Sequence, residues 1–255
     1  MSKRLYIGGG HTLTQGATLA LPASAVRHLQ VWRMQPGQEV WVFTGEGGQW
    51  RARVSHMGRT SADVELIDAV SVEAELPFSV TLAVGMPANE RMDTLVEKAT
   101  ELGAARIQPL VCERSVLRLD GERALRRVAH WRGVAEAASE QCGRDRVPRV
   151  EQVLALPQWL QMQDAPADKE VRMVLQPGAQ AALRQALSTA LPRGGAVTLL
   201  SGPEGGLSDA ESALAARHGF ASCGLGPRIL RADTAPLAAL SVLSVLSAQE
   251  GPARA

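Results

Sequence analysis

The chain has 255 residues, 45% of them hydrophobic and 21% charged, with a formal net charge of +1. That length suits one large domain or two modest ones around a sizeable core, and the near-neutral balance means that an RNA partner has to be met by local basic patches. No apolar run reaches membrane-helix length, the N-terminus lacks an apolar signal region, and the three scattered cysteines (Cys112, Cys142, Cys223) lack metal-ligand spacing, which together predict a reduced, cytoplasmic, metal-free protein.

In chain order, residues 4–68 carry short alternating runs at 39–43, 50–56 and 61–67, with turn signals at Gly45-Glu46-Gly47-Gly48 and Gly58-Arg59. Period-two alternation between such turns predicts a small β-barrel. No acidic residue precedes Glu39, while Lys3, Arg4, Arg27 and Arg33 do, so this part is locally basic. Trp32, Trp41 and Trp50 lie in or beside it. Core packing is the expected use of at least two, with base stacking as the alternative.

A linker over 70–77 follows, and the division falls at 1–72 and 73–250. From Phe78 onward strands alternate with helices, the signature of a parallel α/β sheet. Met92, Leu95, Val96, Ala99 and Leu102 recur at helical spacing, with Gly103 as the stop. A second basic concentration runs from Arg114 to Arg149, with interleaved acids that suit a solvated helix face. Within it, Arg144-Asp145-Arg146-Val147-Pro148-Arg149 follows a helix end at Gly143 and is kept extended by Pro148, which makes it the expected RNA contact. His130 and His218 have no partner motif and read as structural. Residues 161–168 read as a loop. Ser208 with Glu211 spells a capping box, which accounts for Ser208 without a catalytic role. The last helix, from Thr234 to about Ala248, is apolar on more than one face, and this surplus predicts a two-fold subunit interface at Leu240, Leu243 or their neighbours.

Two stretches in the C-terminal third stand apart: Ser201-Gly202-Pro203-Glu204-Gly205-Gly206-Leu207-Ser208, and Leu225-Gly226-Pro227-Arg228-Ile229-Leu230-Arg231-Ala232-Asp233-Thr234-Ala235. Each follows an apolar run that reads as a buried strand, at 197–200 and 221–225, and each precedes a helical pattern. Open α/β sheets bind ligands at such loops. No lysine follows either glycine cluster, so a P-loop is excluded. A dinucleotide fingerprint fails at Ile229, and Pro227 removes a backbone donor. The walls offer apolar surface and backbone groups, which suits a flat adenine-like ring with few charges.

These residues resemble the RsmE family, methyltransferases acting on N3 of a uridine in 16S ribosomal RNA. The same order appears upstream in Glu97-Lys98-Ala99-Thr100-Glu101-Leu102-Gly103, in Glu113-Arg114-Ser115 and in Glu140-Gln141-Cys142-Gly143-Arg144. Arg4-x-Tyr6 and Leu29-x-Val31-x-Arg33-Met34-x-Pro36-Gly37 also match, so the resemblance covers nearly the whole chain. It implies a C-terminal SPOUT methyltransferase domain of α/β class, with a parallel sheet and a deep trefoil knot that binds S-adenosylmethionine. It further implies an N-terminal PUA-like RNA-binding barrel, a homodimer, and the small ribosomal subunit as partner. The chain departs from the family at Asp233, where Glu is commoner, and at Arg91, where many members have Lys.

The resemblance places the cofactor at Leu200, Ser201, Gly202, Pro203, Glu204, Gly205, Gly206, Leu225, Gly226, Ile229, Leu230, Arg231, Thr234 and Ala235. Uracil N3 is a poor nucleophile while protonated, so the site needs a base or cations for the ring oxygens. Arg231 and Arg114 are the expected cations. Glu204 is expected to order its loop, offset the sulfonium charge or act on the N3 proton. RNA contacts are expected at Arg4, Arg33, Lys98, Arg144, Arg146 and Arg149, with an i to i+3 pair to Glu101 as the alternative use of Lys98. A non-enzymatic ribosome-assembly factor is the competing reading.

Overall fold

The computed structural model describes residues 3–71, 74–88, 91–179, 181, 183 and 194–248. The chain divides into two compact units, Met1–Glu75 with Glu136–Val147, and Leu76–Ala135 with Pro148–Ala255. The first therefore takes in a segment that a linear division at 72/73 leaves out.

In the first unit, β1 (Arg4–Tyr6), β2 (Thr18–Ala20), β3 (Glu39–Phe43), β4 (Gln49–Met57) and β5 (Ala62–Val70) form a sheet in the order β1-β3-β4-β5-β2. β1 runs parallel to β3 and the other pairs are antiparallel. The alternation of β5 buries Ala62, Val64 and Leu66. They join Leu5, Val40, Val42 and Val54 in a core closed by Val26 and Leu29 of α1 (Ala23–Val31). Trp32 and Trp50 pack partly buried against this core. Register shifts at Arg51/Ala52 and Val54/His56 mark bulges, which bend a strand and raise its twist. β1 and β2 are three residues each, too short to show a period in sequence.

The end of the long helix α3 (Gly121–Cys142) and the segment after it belong to the same unit. Glu140 Oε1 accepts from Tyr6 N at 2.7 Å. Asp145 holds the Gly45–Gly48 turn, its Oδ2 accepting from Gly48 N at 2.7 Å and its carbonyl from Gly47 N at 3.2 Å. Arg144 donates from Nε and Nη2 to both oxygens of Glu75, at 2.9 and 2.6 Å. The guanidinium of Arg4 donates to Gln49 and to the carbonyl of Arg144, and lies over the Phe43 ring.

In the second unit the strands are β6 (Ser79–Gly85), β7 (Arg106–Val111), β8 (Arg149–Val150), β9 (Leu154–Ala155), β10 (Glu170–Leu175), β11 (Ala196–Ser201) and β12 (Ala221–Cys223). Their order is β12-β10-β11-β6-β7-β8, with β9 also on β7, and every pair is parallel. A parallel sheet covered on both faces needs near-continuous apolar strands, and β6 with Val80, Leu82, Ala83 and Val84 buried is one. From β6 the order runs one way through β7 to β8 and the other way through β11 and β10 to β12. The reversal therefore sits between β6 and β11, the place where open sheets leave a crevice at their carboxyl ends.

The helices of this unit follow their sequence signals. α2 (Arg91–Glu101) buries Met92, Leu95, Val96 and Ala99, and Gly103 beyond it takes φ +96°. Asp93 on α2 accepts from Trp131 Nε1 at 2.9 Å and pairs with His130 Nε2 at 2.8 Å, so His130 does have a partner. α4 (Leu156–Gln161) is short, whereas α5 (Asp209–Arg217) opens with the full capping box between Ser208 and Glu211. α6 (Thr234–Ala248) packs against α2 and β11. Leu240 and Leu243 are fully buried within the single chain, which corrects their expected place on a subunit interface. Leu237, Val242 and Leu246 of this helix are only partly buried, and Val245 is 60% exposed.

Replacing Asp145 with Ala removes the acceptor of Gly48 N inside the first unit. A bond to a charged acceptor is worth about 1.5–3 kcal/mol. Denaturant unfolding should show a loss in that range for Asp145→Ala, and a smaller one for Asp145→Asn, which keeps an acceptor oxygen.

Candidate functional site

The carboxyl ends of β6, β10, β11 and β12 carry the loops that form the site. The first loop leaves β11 at Ser201 and packs on itself. A Cβ at Gly202 would lie 2.8 Å from Gly206 C and from Leu207 N. Gly206 N bonds Pro203 O at 2.8 Å, and Pro203 presses on Gly85 at the end of β6, where a Cβ would sit 2.5 Å from its ring. Gly205 lies against Arg114, which leaves 2.9 Å between a Cβ at Gly205 and Arg114 Cβ. The glycines at 202 and 205 thus allow close contacts within the protein that a Cβ would block.

Side chains from other elements fix this loop. Glu204 Oε1 accepts from Ala88 N at 2.9 Å and from Arg91 Nη1 at 3.2 Å. Arg114 Nη1 donates to Gly205 O at 3.2 Å and Leu207 O at 3.3 Å. Glu211 Oε2 accepts from Ser208 N at 2.9 Å, and its Oε1 accepts from Glu113 N at 2.8 Å. The loop after β7 and the loop after β11 are therefore tied together by Arg114 and Glu211.

The second loop begins at Gly224, whose N–H bonds Ala181 O at 2.8 Å. Gly226 takes φ +106° with nothing within 4 Å of a Cβ position, a conformation that glycine alone adopts freely. Arg231 O accepts from Thr234 N and Ala235 N, which starts α6. Leu225, Gly226, Arg228, Leu230 and Ala235 line a cavity with Leu175, Gln176 and Pro177 from the end of β10. Four of the expected cofactor residues thus meet in one cavity. Leu175, Gln176, Pro177 and Arg228 were not among the expected ones. The apolar run before Gln176-Pro177-Gly178 is the sequence signal that could have found them.

The remaining expected positions are distributed unevenly. Leu200 is fully buried in the core with Ala83, Leu110 and Trp159. Ser201 is 3% exposed and its Oγ has no hydrogen-bond partner. Asp233 Oδ1 is likewise buried without a partner. Ile229 is 85% exposed, and Arg231 and Thr234 are exposed as well. Two thiols of this unit are kept protonated near neutral pH. Burial, reinforced by Glu211, pushes Cys112 up to about 12, and burial pushes Cys223 up to about 11.

The expected RNA contacts separate in the same way. Arg33, Arg146 and Arg149 are exposed. Arg4 and Arg144 are 7% and 3% exposed and bonded inside the first unit, which corrects their assignment to an RNA-facing surface. Lys98 bonds Glu97 at 2.7 Å and Glu101 at 2.8 Å, and the Glu101 bond, then the Glu97 bond, raise its pKa. Its geometry is that of the helix-surface ion pair.

Residues 74–244 match a family model for an RNA methyltransferase domain, and residues 21–67 match one for an RNA methyltransferase PUA domain. The ribosomal RNA small subunit methyltransferase E of Bacillus subtilis is 34% identical over 91% of both chains. That of Synechocystis is 35% identical over 90% of this chain and 74% of its own. The structure of the corresponding Neisseria gonorrhoeae protein, bound to S-adenosyl methionine, has a TM-score of 0.87 at 31% identity, covering 96% of this chain and 98% of that one. A Legionella pneumophila structure in complex with the same cofactor has a TM-score of 0.86 at 32% identity, with the same coverage.

Gly202→Ala must displace backbone of its own loop, and overpacking of this kind costs about 1–3 kcal/mol. Ile229→Ala, at an exposed position, should stay within about 0.5 kcal/mol of the parent. Denaturant unfolding of the two variants side by side checks this contrast.

Proposed function

The chain belongs to the ribosomal RNA small subunit methyltransferase E family, and from that premise we propose that it transfers a methyl group from S-adenosylmethionine to N3 of a uridine in 16S ribosomal RNA. The observation that carries this reading is the cavity between the β10 turn and the second glycine-containing loop; Ser201 Oγ, at the end of β11, and Asp233 Oδ1, just before α6, are unpartnered acceptors outside its lining. Apolar walls at Leu175, Pro177, Leu225 and Leu230 suit a flat purine, and the two acceptors suit the hydroxyls and ammonium of such a cofactor. When bound, S-adenosylmethionine supplies an activated methyl group on a sulfonium, so the protein mainly has to align nucleophile and methyl.

The chain's own residues have three tasks. Leu225, Gly226, Leu230 and Ala235 hold the cofactor, with Ser201 and Asp233 as acceptors. Arg231 and Arg114 stabilise the negative charge that appears on the uracil oxygens as N3 loses its proton. Arg114 is positioned for this by its bonds to Gly205 O and Leu207 O, which engage only part of a five-donor guanidinium. Glu204, bonded to Ala88 N and Arg91, orders the first loop rather than taking the N3 proton.

In the same reading, residues 1–72 act as the PUA-like RNA-binding domain and 73–250 as the SPOUT domain, with the C-terminal segment threaded as a trefoil knot. Arg33, Arg146 and Arg149 face RNA phosphate. The protein works in the cytoplasm on the small ribosomal subunit as a homodimer, whose interface uses exposed apolar surface around Val245 rather than Leu240 and Leu243.

The test is transfer of labelled methyl from S-adenosylmethionine to small-subunit ribosomal RNA, with the product nucleoside identified by mass spectrometry. Arg231→Ala should lower kcat roughly 100-fold or more, the usual loss when one transition-state charge partner is removed, with cofactor affinity little changed. RNA binding without methyl transfer by the parent would favour an assembly factor, and a methylated base other than N3-methyluridine would overturn the site of transfer.

A further inference from the structure

The second unit contains another groove, of about 490 Å³, that the methyl-transfer reading leaves without a role. Ala210, Leu214 and Arg217 recur along one face of α5 and form one side, while Pro157, Glu113 and Arg118 close the others. Glu211 also borders the groove, but both of its oxygens accept backbone N–H groups, from Glu113 and Ser208. Its charge is therefore compensated locally and presents little repulsion to an anion.

What remains accessible has a definite chemistry. Arg118 Nη2 donates to Glu113 O at 2.7 Å, which fixes the guanidinium at the rim with donors to spare. Arg217 is exposed in the last turn of α5, with no ion pair among the described residues. The exposed Glu113 carboxylate is an acceptor, and its backbone N–H is already engaged by Glu211. The wall between these charged groups is flat and apolar, made by Pro157, Ala210 and Leu214.

We propose that this groove binds one cytidine or guanosine nucleotide of the RNA substrate, distinct from the uridine that is methylated. The apolar wall takes the base face, the two guanidinium groups take its phosphate, and Glu113 accepts from the exocyclic amine of the base. A carboxylate acceptor reads bases that carry an amine, as cytosine does through N4, and it discriminates against uracil, which has none. A bare phosphate would leave the apolar wall unused, whereas a purely apolar partner would bury both arginines and Glu113 unpaired. This inference rests on the RNA-methyltransferase reading and extends it to a second point of contact.

The test uses the full chain, with small-subunit ribosomal RNA and short oligo(C) and oligo(U) strands as probes. Ala210→Trp fills the groove from an exposed position, and Arg217→Ala removes one phosphate contact. Each should weaken ribosomal RNA binding roughly fivefold or more, the lower end of what one stacked base contributes. Arg217→Ala should also lower the salt slope by about 0.7, the value for one phosphate on a single strand. Calorimetry should show unchanged cofactor affinity for both variants. The parent should prefer oligo(C) to oligo(U), and Glu113→Gln should abolish that preference. Unchanged RNA affinity and salt slope in both variants would overturn the groove assignment while parental methyl transfer still upheld the enzyme. If Ala210→Trp instead alters only the oligomeric state by light scattering, the groove is an interface between copies and the proposal fails. A parent that neither binds the cofactor nor methylates the RNA removes both readings together.

Discussion

The carboxylate of Glu211, 5% exposed, accepts Ser208 N with one oxygen and Glu113 N with the other. Through the first bond it completes the cap of α5 and ends the glycine loop. Through the second it holds the backbone that carries Arg114. The first glycine loop and the segment carrying Arg114 are both held to α5 by this pair of hydrogen bonds. The position of Arg114 sets the carbonyls of Gly205 and Leu207, and those set the path of the loop beside β6. A buried carboxylate is tolerated only because both oxygens are engaged, and losing either bond would leave an uncompensated charge. The same residue that makes the site also makes its local stability conditional on an intact loop.

The site is built mostly from backbone. The first loop leaves β11 and the second leaves β12, with β10 and its turn between them, and the close packing of the first loop at Gly202 and Gly205 leaves it little freedom to reorganise. Such preorganisation is what methyl transfer needs from a protein when the reagent already carries the activation. Rigidity here comes from contacts between loops rather than from a large side-chain network.

Periodic features were legible in the sequence because one residue decides each of them. The Ser208–Glu211 cap, the apolar face of α2, the long strands β3 to β5 and the strand before the glycine loop all follow from local spacing. What was not legible depends on which way a side chain turns after the chain has folded. Arg4 and Arg144 look like any surface arginines in a basic stretch, yet each finds partners far along the chain: Gln49 and the Arg144 carbonyl for one, Glu75 for the other. Leu240 and Leu243 looked surplus because α2 and β11, which cover them, lie too far away in sequence for a helical count to include. The β10 turn at Gln176-Pro177 joins the site only through strand order, which periodicity does not reveal.

Asp233 shows how local rules and site chemistry can be separated. It stands where an N-cap residue would, ahead of Thr234, and an aspartate there normally accepts from the next two or three N–H groups. That role is closed to it. Thr234 N and Ala235 N both bond Arg231 O, and Pro236, in the position after them, has no N–H to give. Oδ1 is left buried without a partner, a situation that costs about 1–3 kcal/mol where nothing compensates. The helix dipole favours a negative charge at this end but does not satisfy that oxygen. An acid retained at a capping position, with its capping bonds taken by a neighbouring carbonyl, contributes little to the helix it precedes. In the proposed reading its value lies in the acceptor it offers to the cofactor.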